Sequence, residues 1–168
     1  MRTILLALIL VLLPTPRPDH LPSSSSSPSD PDPVAVAWAR RFHIDPTLAG
    51  RIIRAADRHG LDTGLAFRLV ERESRFRVNA LGDAGEIGLT QIKPSTAEYL
   101  RPGITVAQLY QPDVNLELGF TYLAQLRDRY HGNMWRAAMA YNAGISAADT
   151  LPGETQYAVT LVGAPVAD

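Results

Sequence analysis

Apolar residues recur every three to four positions along most of the chain, which is the spacing of amphipathic α-helices. The clearest case is residues 111–130, in which four apolar side chains share one face: Leu116, Phe120, Leu123 and Leu126. Further helices are predicted over DPTLAGRIIRAADRHG, TGLAFRLVERES, PSTAEYL, NMWRAAMAYNAG and a short segment after LPGET. Alternating strand patterns are scarce, and only residues 78–92 could hold a small hairpin. The pattern predicts a mainly α protein.

The ends of the predicted helices carry residues that commonly start or stop a helix. Asp45 is predicted as an N-cap, with Pro46 in the first helical position and Gly60 as the stop. Gly144 is predicted to end the helix in NMWRAAMAYNAG. These residues support the helix boundaries independently of the apolar spacing.

The first residues form a different kind of apolar segment. Ile4 to Leu13 is a run of ten apolar residues after Arg2, shorter than the about 20 residues of a membrane-spanning helix. It is typical of a secretory signal, and the alternative of a buried core helix is disfavoured because proline follows at position 14. Residues 1–13 are therefore predicted as a signal peptide or short N-terminal anchor, and the protein is expected to be exported to the periplasm or cell envelope.

A proline- and serine-rich tract, PTPRPDHLPSSSSSPSDPDP, fills residues 14–33. Such a composition buries too little apolar surface to fold, so this tract is predicted to be a disordered linker. The folded domain is expected over residues 34–168.

The composition of the chain excludes several kinds of site and function for this domain. The 168 residues are 46% apolar, enough for one globular domain, and the net charge of −1 provides no general attraction for nucleic acid. The absence of cysteine excludes disulfides, thiolate metal sites and a cysteine nucleophile. The four histidines are scattered, and PDVNLEL lacks the central glycine of a calcium loop, so no metal or cofactor is expected.

The stretch LVERESRF contains two glutamates that differ in their helical position. At about 100° per residue, with Leu65 at zero, Glu73 falls near ~80°, between Leu69 near ~40° and Val70 near ~140°. Glu71 falls near ~240°, outside this apolar arc, and is expected in solvent. Burial raises the pKa of a carboxyl, which suits a general acid. The alternative is a buried glutamate paired with an arginine or capping a neighbouring helix.

Two other segments could present groups to a ligand. NALGDAGEIGLTQI has three closely spaced glycines, so its irregular backbone could lay Gln91 along a ligand, or it could be a surface hairpin. AAMAYNAG ends with Tyr141 and Asn142, which could present a ring and an amide to a sugar, or could be a core-edge tyrosine and a capping asparagine. Ser74 could hydrogen-bond a carboxylate or the backbone.

Taken in order, these segments resemble the SLT-type lytic transglycosylases that cleave bacterial peptidoglycan. Glu73-Ser74 matches the family's Glu-Ser motif, GLTQIKPSTA is similar to its Gly-Leu-Met-Gln segment, and AYNAG is its third motif without change. The resemblance covers residues 48–162, with two departures. Thr90 replaces the usual methionine, and LPGETQY is one residue short of the family's terminal segment, which leaves the role of Tyr157 open.

The resemblance implies a lysozyme-like single domain and cleavage between N-acetylmuramic acid and N-acetylglucosamine without water, giving 1,6-anhydromuramoyl ends. It implies that Glu73 is the catalytic acid and then base. It further implies that six residues bind substrate or shape the groove: Ser74, Gly88, Gln91, Tyr141, Asn142 and Tyr157. Peptidoglycan glycan strands are the expected partner; whether an envelope-spanning secretion or pilus machine is another stays open.

Two other functions remain open. A hydrolytic lysozyme on the same scaffold would need a second carboxylate, for which Asp83 and Glu86 are the nearest candidates in sequence. A non-catalytic peptidoglycan-binding module is the other, although such a module has little reason to retain a costly buried acid.

Overall fold

The computed structural model describes residues 32–150 and 155–163. The predicted signal peptide and nearly all of the predicted linker lie outside these residues. The described part of the chain forms nine helices. In chain order they are α1 (Pro33–Phe42), α2 (Pro46–Arg58), α3 (Thr63–Ser74), α4 (Pro94–Leu100), α5 (Val106–Leu109), α6 (Pro112–Arg129), α7 (Met134–Ala143), α8 (Ile145–Thr150) and α9 (Gln156–Val162).

Aspartates cap the first three helices. The Asp45 carboxylate accepts a hydrogen bond from the Thr47 N–H at 2.7 Å and caps α2, as predicted. Hydrogen bonds with the Thr47 side chain and then with its backbone hold the pKa of Asp45 below its ordinary value. Asp32 caps α1 in the same way through Val34 N–H at 2.9 Å. The last two residues of the predicted linker, Asp32 and Pro33, therefore belong to the start of α1.

Three helices of the structure, α1, α5 and α8, were not predicted from the apolar spacing. α1 follows directly on the proline-rich tract, whose composition obscures its cap. α5 has four residues and α8 has six, each too short to show a helical repeat. α5 is instead defined by a capping box, in which Thr105 and Gln108 bond to each other's backbone N–H.

The main core surrounds α3. Ala66, Phe67, Leu69 and Val70 of this helix are fully buried, and α2, α6, α7 and α9 contribute the residues packed around them. A smaller core of Ile87, Ile92, Ala97, Leu109 and Leu118 lies beneath the glycine-rich loop. Together the two cores fix α3 and the loop, which carry the first two sequence motifs.

An aromatic cluster fixes the end of α3. The Phe67 ring lies 4.6 Å from Trp38, 5.1 Å from Phe42 and 6.4 Å from Phe76, measured between ring centroids. Phe76 follows a turn in which both Arg75 and Phe76 have positive φ, at 51° and 59°. Such backbone is disfavoured for residues with a side chain, so the packing of Phe76 holds the turn that follows Ser74.

The glycine-rich loop contains little sheet. Only isolated antiparallel bridges occur in it, between Leu81 and Ile87 and between Ile87 and Ile92. Of the two alternatives for this region, an irregular loop and a small hairpin, the structure has an irregular loop with single bridges. The prediction of a mainly α domain is confirmed. Within the described residues, no helix combines the length and hydropathy needed to cross a bilayer.

Candidate active site

A cleft of about 460 Å³ lies between the end of α3, the glycine-rich loop and the end of α7. It contains four of the predicted site residues: Glu73, Gln91, Tyr141 and Asn142. Glu86, Lys93, Thr96 and Tyr122 line it as well. The three sequence motifs, which lie far apart along the chain, therefore meet around one opening.

Glu73 lies in the last turn of α3 and is half-buried, whereas Glu71 is exposed. Burial is the main influence on Glu73 and raises the pKa of its carboxyl above the ordinary value of 4.5. The Glu86 carboxylate raises this pKa further, while the hydrogen bond from Tyr157 and the charge of Arg72 lower it. The net rise favours the protonated form that a proton donor requires.

Tyr157 is the direct partner of Glu73. Its hydroxyl donates a hydrogen bond of 2.5 Å to Glu73 Oε1, across 84 residues of sequence. The Tyr157 side chain is 6% exposed, and burial with the nearby Glu73 raises the pKa of its phenol far above the ordinary range. Tyr157 therefore stays protonated and serves as a donor, and the structure brings it to the acid rather than to the cleft lining.

Tyr141 is fixed by a bond to the loop. Its hydroxyl donates to the carbonyl oxygen of Thr90 at 2.8 Å, and burial raises its pKa. The ring packs at a tilt against Tyr122, with centroids 5.5 Å apart. Tyr141 therefore contributes its ring to the cleft, with its hydroxyl proton already engaged, and the neighbouring Asn142 is exposed.

Gln91 is held in an unusual backbone conformation, with φ of 48°. Its amide nitrogen donates to the carbonyl oxygens of Gly88 at 3.0 Å and Ala80 at 3.4 Å. A Cβ added at Gly82 would lie 2.7 Å from Gln91 Oε1 and 2.5 Å from Glu86 Oε2. The absence of a side chain at position 82 thus lets Gln91 and Glu86 pack closely inside the loop.

Asn115 of α6 anchors the loop from below. Its Oδ1 accepts from the Thr90 N–H at 2.8 Å, and its Nδ2 donates to the carbonyl oxygens of Ile87 and Leu109, each at 2.8 Å. The Thr90 hydroxyl lies 2.8 Å from the same Oδ1 and is fully buried. Thr90 is therefore a packing residue at the position where the resemblance expects methionine, and it rests against Gly119.

Ser74 and Gly88 are absent from the cleft lining. Ser74 is 1% exposed and its hydroxyl donates to the Val70 carbonyl at 3.0 Å. Gly88 has φ of 76°, and a Cβ there would lie 2.3 Å from Asn115 Nδ2. Both residues support the backbone around the site, and their predicted contact with substrate stays a prediction.

Several cleft residues were not singled out by sequence reasoning. Glu86 was considered only as a second carboxylate, and it pairs with Lys93 at 3.6 Å. Thr96 and Tyr122 lie on α4 and α6, where their spacing is that of ordinary helix positions. Among the described residues, no three histidine, aspartate or glutamate side chains cluster as metal ligands would.

The fold and the cleft define a small helical domain whose cleft contains the half-buried carboxylic acid of Glu73. Residues 50–156 match the family model described as "Transglycosylase SLT domain", and the chain belongs to this family. The resemblance found from the three motifs is thereby confirmed.

Curated relatives carry related names. The chain is 34% identical over 108 residues to "Membrane-bound lytic murein transglycosylase C" of Haemophilus ducreyi, covering 56% of this chain and 29% of the relative. It is 37% identical over 108 residues to the protein of the same name in Actinobacillus pleuropneumoniae serotype 5b, covering 56% of this chain and 30% of the relative. The chain thus spans about 30% of the length of these relatives.

Solved structures support the fold. An inactive glutamate-to-glutamine mutant of the lytic transglycosylase Slt from Pseudomonas aeruginosa matches with a TM-score of 0.55 and 33% identity, over 60% of this chain and 17% of that one. The 70 kDa soluble lytic transglycosylase of Escherichia coli matches with a TM-score of 0.57 and 26% identity, over 68% of this chain and 20% of that one. The predicted lysozyme-like fold is confirmed by these matches.

Proposed function

We propose that this protein is a peptidoglycan lytic transglycosylase, a carbon–oxygen lyase that cleaves the β-1,4 bond from N-acetylmuramic acid to N-acetylglucosamine without water. The observation that carries the proposal is the half-buried Glu73, with raised pKa and a bond from Tyr157, facing the cleft. The relatives' names, which refer to murein, support the substrate. The Pseudomonas structure, described as an inactive mutant in which glutamine replaces a glutamate, supports the need for such an acid.

The first step is proton transfer to the leaving group. Tyr157 occupies Glu73 Oε1, so the second carboxyl oxygen carries the proton toward the glycosidic oxygen. As the muramoyl C1–O bond breaks, its electron pair stays on that oxygen, which takes the proton and leaves as the glucosamine 4-hydroxyl. The carbonyl oxygen of the same muramoyl N-acetyl group then bonds to C1 and holds the positive charge, as in substrate-assisted glycosidases.

The second step closes the anhydro ring. The Glu73 carboxylate takes the proton of the muramoyl C6 hydroxyl, O6 bonds to C1, and the bond from C1 to the N-acetyl oxygen breaks. Glu73 is then protonated again, and no water is consumed. The hydrogen bond from Tyr157 stabilises the carboxylate in the interval between the two proton transfers. One acid therefore serves as both acid and base.

The cleft residues hold the sugar during these steps. Tyr141 and Asn142 present a ring and an amide beside Glu73, and Gln91 borders the same space. We assign them to the N-acetyl and ring groups of the substrate. Gly88 and Ser74 act by shaping the backbone, because both are buried. We also propose a site of action in the cell envelope, supported by the relatives' name "membrane-bound".

Hydrolysis is a second candidate because Glu86 lines the same cleft as Glu73. A carboxylate there could activate a water molecule for attack on C1, as in inverting glycosidases, or bond to C1 itself before water releases the sugar, as in retaining ones. Two contacts compete with that role: Glu86 pairs with Lys93 at 3.6 Å and accepts from the Ala84 N–H at 3.1 Å. We therefore favour the transglycosylase reaction.

Mass spectrometry of digested cell-wall sacculi separates these functions. The transglycosylase yields muropeptides with 1,6-anhydromuramoyl ends, lighter by one water than hydrolytic products. Reducing muramic acid ends would instead establish a lysozyme. Retained binding to sacculi without any soluble product would leave a non-catalytic peptidoglycan-binding module.

The substitution Glu73→Gln tests the acid directly. The amide oxygen of the introduced glutamine can still accept the Tyr157 hydrogen bond, but the amide supplies no proton, so turnover is expected to fall by about 10³-fold or more. Glu71→Gln is the matched control, since Glu71 is exposed on the same helix, and it should keep near-normal activity. Asp83→Asn and Glu86→Gln are expected to keep most activity; abolition by Glu86→Gln would favour the hydrolase.

A further inference from the structure

The active-site cleft continues into a second depression of similar volume, about 460 Å³. The two share Thr96 of α4 and Tyr122 of α6, which form the ridge between them. Beyond this ridge the wall consists of Tyr99, Gln125, Leu126, Arg129 and Ile145, among others. A polymer bound across Glu73 can therefore extend over Thr96 and Tyr122 into a second site.

The chemistry of the second depression differs from that of the cleft. Its charged group is Arg129, whose side chain is 52% exposed. The Asp149 carboxylate lies 3.8 Å away, and the other oxygen of that carboxylate accepts from the Tyr130 hydroxyl at 2.9 Å. An ion pair at 3.8 Å leaves most of the guanidinium's five donors available for a carboxylate, which this planar group can bind in bidentate fashion.

Apolar surface accompanies this charge. Leu126 and Ile145 line the depression, and Tyr99 at its edge is 80% exposed. An exposed tyrosine of this kind offers a large apolar face with a polar tip, a combination common at recognition surfaces. The depression thus suits a ligand that carries both a carboxylate and small apolar groups.

We propose that this second depression binds the stem peptide of the substrate strand through a carboxylate held by Arg129. The inference rests on the proposed function, because it takes peptidoglycan as the ligand. In peptide-bearing strands the carboxyl of each muramoyl group is tied up in an amide bond to a short peptide rich in alanine, so the free carboxylates belong to that peptide. Arg129 and the apolar surface beside it lie in the depression next to the sugar cleft. They are complementary to the peptide, which has carboxylates and small apolar groups, rather than to bare sugar.

Binding measurements on two matched ligands test the assignment. The full chain carrying Glu73→Gln, which cannot turn over, is titrated with glycan strands that keep their stem peptides and with the same strands after an amidase has removed them. Adding Arg129→Gln is expected to weaken binding of the peptide-bearing strands roughly three- to fivefold, the range of one partly exposed ion pair. The amidase leaves one carboxylate on each muramoyl group, but that carboxylate stays at the sugar, so binding of the bare strands should not change.

Two further variants make the result specific. Arg129→Lys keeps the charge without the planar donors and should restore part of the affinity. Arg40→Gln removes an equal charge from the exposed face of α1 and should leave both ligands unaffected. Added salt should weaken the peptide-bearing complex more than the bare one.

The outcomes separate this inference from the proposed function. An equal loss for both strands would make the depression a sugar subsite, and no loss for either would remove Arg129 from binding; each result overturns the peptide assignment. The proposed function is tested by a different experiment. It would fail if the wild-type protein released no 1,6-anhydro product from sacculi.

Discussion

Glu73 and Tyr157 form one short hydrogen bond that sets the properties of the site. Burial raises the Glu73 pKa, and the Tyr157 bond is the largest influence that opposes this rise. The bond therefore has two effects: it orients the carboxyl, and it limits how strongly the proton is held. An acid that must release and recover its proton in one cycle benefits from both.

Tyr157→Phe tests this arrangement while keeping the buried ring. Loss of the hydroxyl is expected to lower turnover by roughly tenfold, since it removes one hydrogen bond to a charged group. Activity requires protonated Glu73, so it falls as pH rises through that group's pKa. Because the Tyr157 bond lowers this pKa, its removal should move the falling limb of the pH profile to higher pH.

The control is Tyr110→Phe, which removes a hydroxyl from a half-buried tyrosine against the smaller core. It should leave both the rate and the profile unchanged. A falling limb that shifts to lower pH in Tyr157→Phe would contradict the role given to this bond.

At the residue scale, the amino-acid sequence predicts some features of the site and not others. The helical angle separated Glu73 from Glu71 correctly, because burial of a side chain on a regular helix follows from periodicity alone. The partnership with Tyr157 was not predictable from spacing. It depends on how α9 packs against α3, which neither segment encodes by itself. The buried bond of Ser74 to Val70 was one of two alternatives left open.

At the scale of elements, the glycine-rich loop is attached to α6 as a unit. Asn115 binds the loop at Thr90 and Ile87, and Thr90 in turn accepts from Tyr141 of α7. One buried amide therefore links three elements around the cleft. Position 88 has a positive φ and lies against Asn115, so both its backbone and its space exclude a side chain.

Gly88→Ala should therefore be costly. Strain in the left-handed conformation and displacement of Asn115 together are expected to remove roughly 3 kcal/mol or more of the free energy of unfolding. Chemical denaturation measures this loss, and activity should fall at temperatures where the protein is still folded, because the loop borders the cleft.

Gly85→Ala is the matched comparison. Gly85 also has positive φ, at 85°, but no atom lies within 4 Å of an added Cβ. The expected cost is about 1 kcal/mol from backbone strain alone. Equal losses for the two variants would show that the contact with Asn115 is unimportant.

The sequence predicted elements where local signals were complete. The boundaries of α2 follow from its caps and those of α3 from its apolar spacing, and both helices were predicted closely. α1, α5 and α8 were missed because two are shorter than a recognisable repeat and the third begins in a tract that reads as linker. The loop's shape depends on Asn115, which lies well beyond the loop along the chain and which local reasoning does not reach.

At the scale of the whole molecule, α9 completes both the core and the site. Leu161 and Ala158 are fully buried, and the Arg68 side chain donates to the Leu161 carbonyl at 2.7 Å. The same helix carries Tyr157 to Glu73. The packing of α9 into the core therefore also places the Tyr157 hydroxyl against the Glu73 carboxyl.

Leu161→Ala tests this coupling. Loss of a fully buried leucine is expected to cost about 3 kcal/mol of the free energy of unfolding. Activity should decline as well, well below the melting temperature, because a loosened α9 no longer holds Tyr157 against Glu73. Thr160→Ala, on the exposed side of the same helix, should change stability by less than about 0.5 kcal/mol. Full activity in destabilised Leu161→Ala would argue against the coupling.

The position of α9 also bears on when the proposed activity can begin. Synthesis of the chain runs from its N-terminus, so Glu73 is made well before Tyr157, which belongs to the last described helix. During that interval the acid lacks its donor, so the unfinished polypeptide cannot carry out the proposed reaction efficiently. Completion of the domain therefore acts as a delay: the proposed activity becomes fully available only once α9 has been made and has folded.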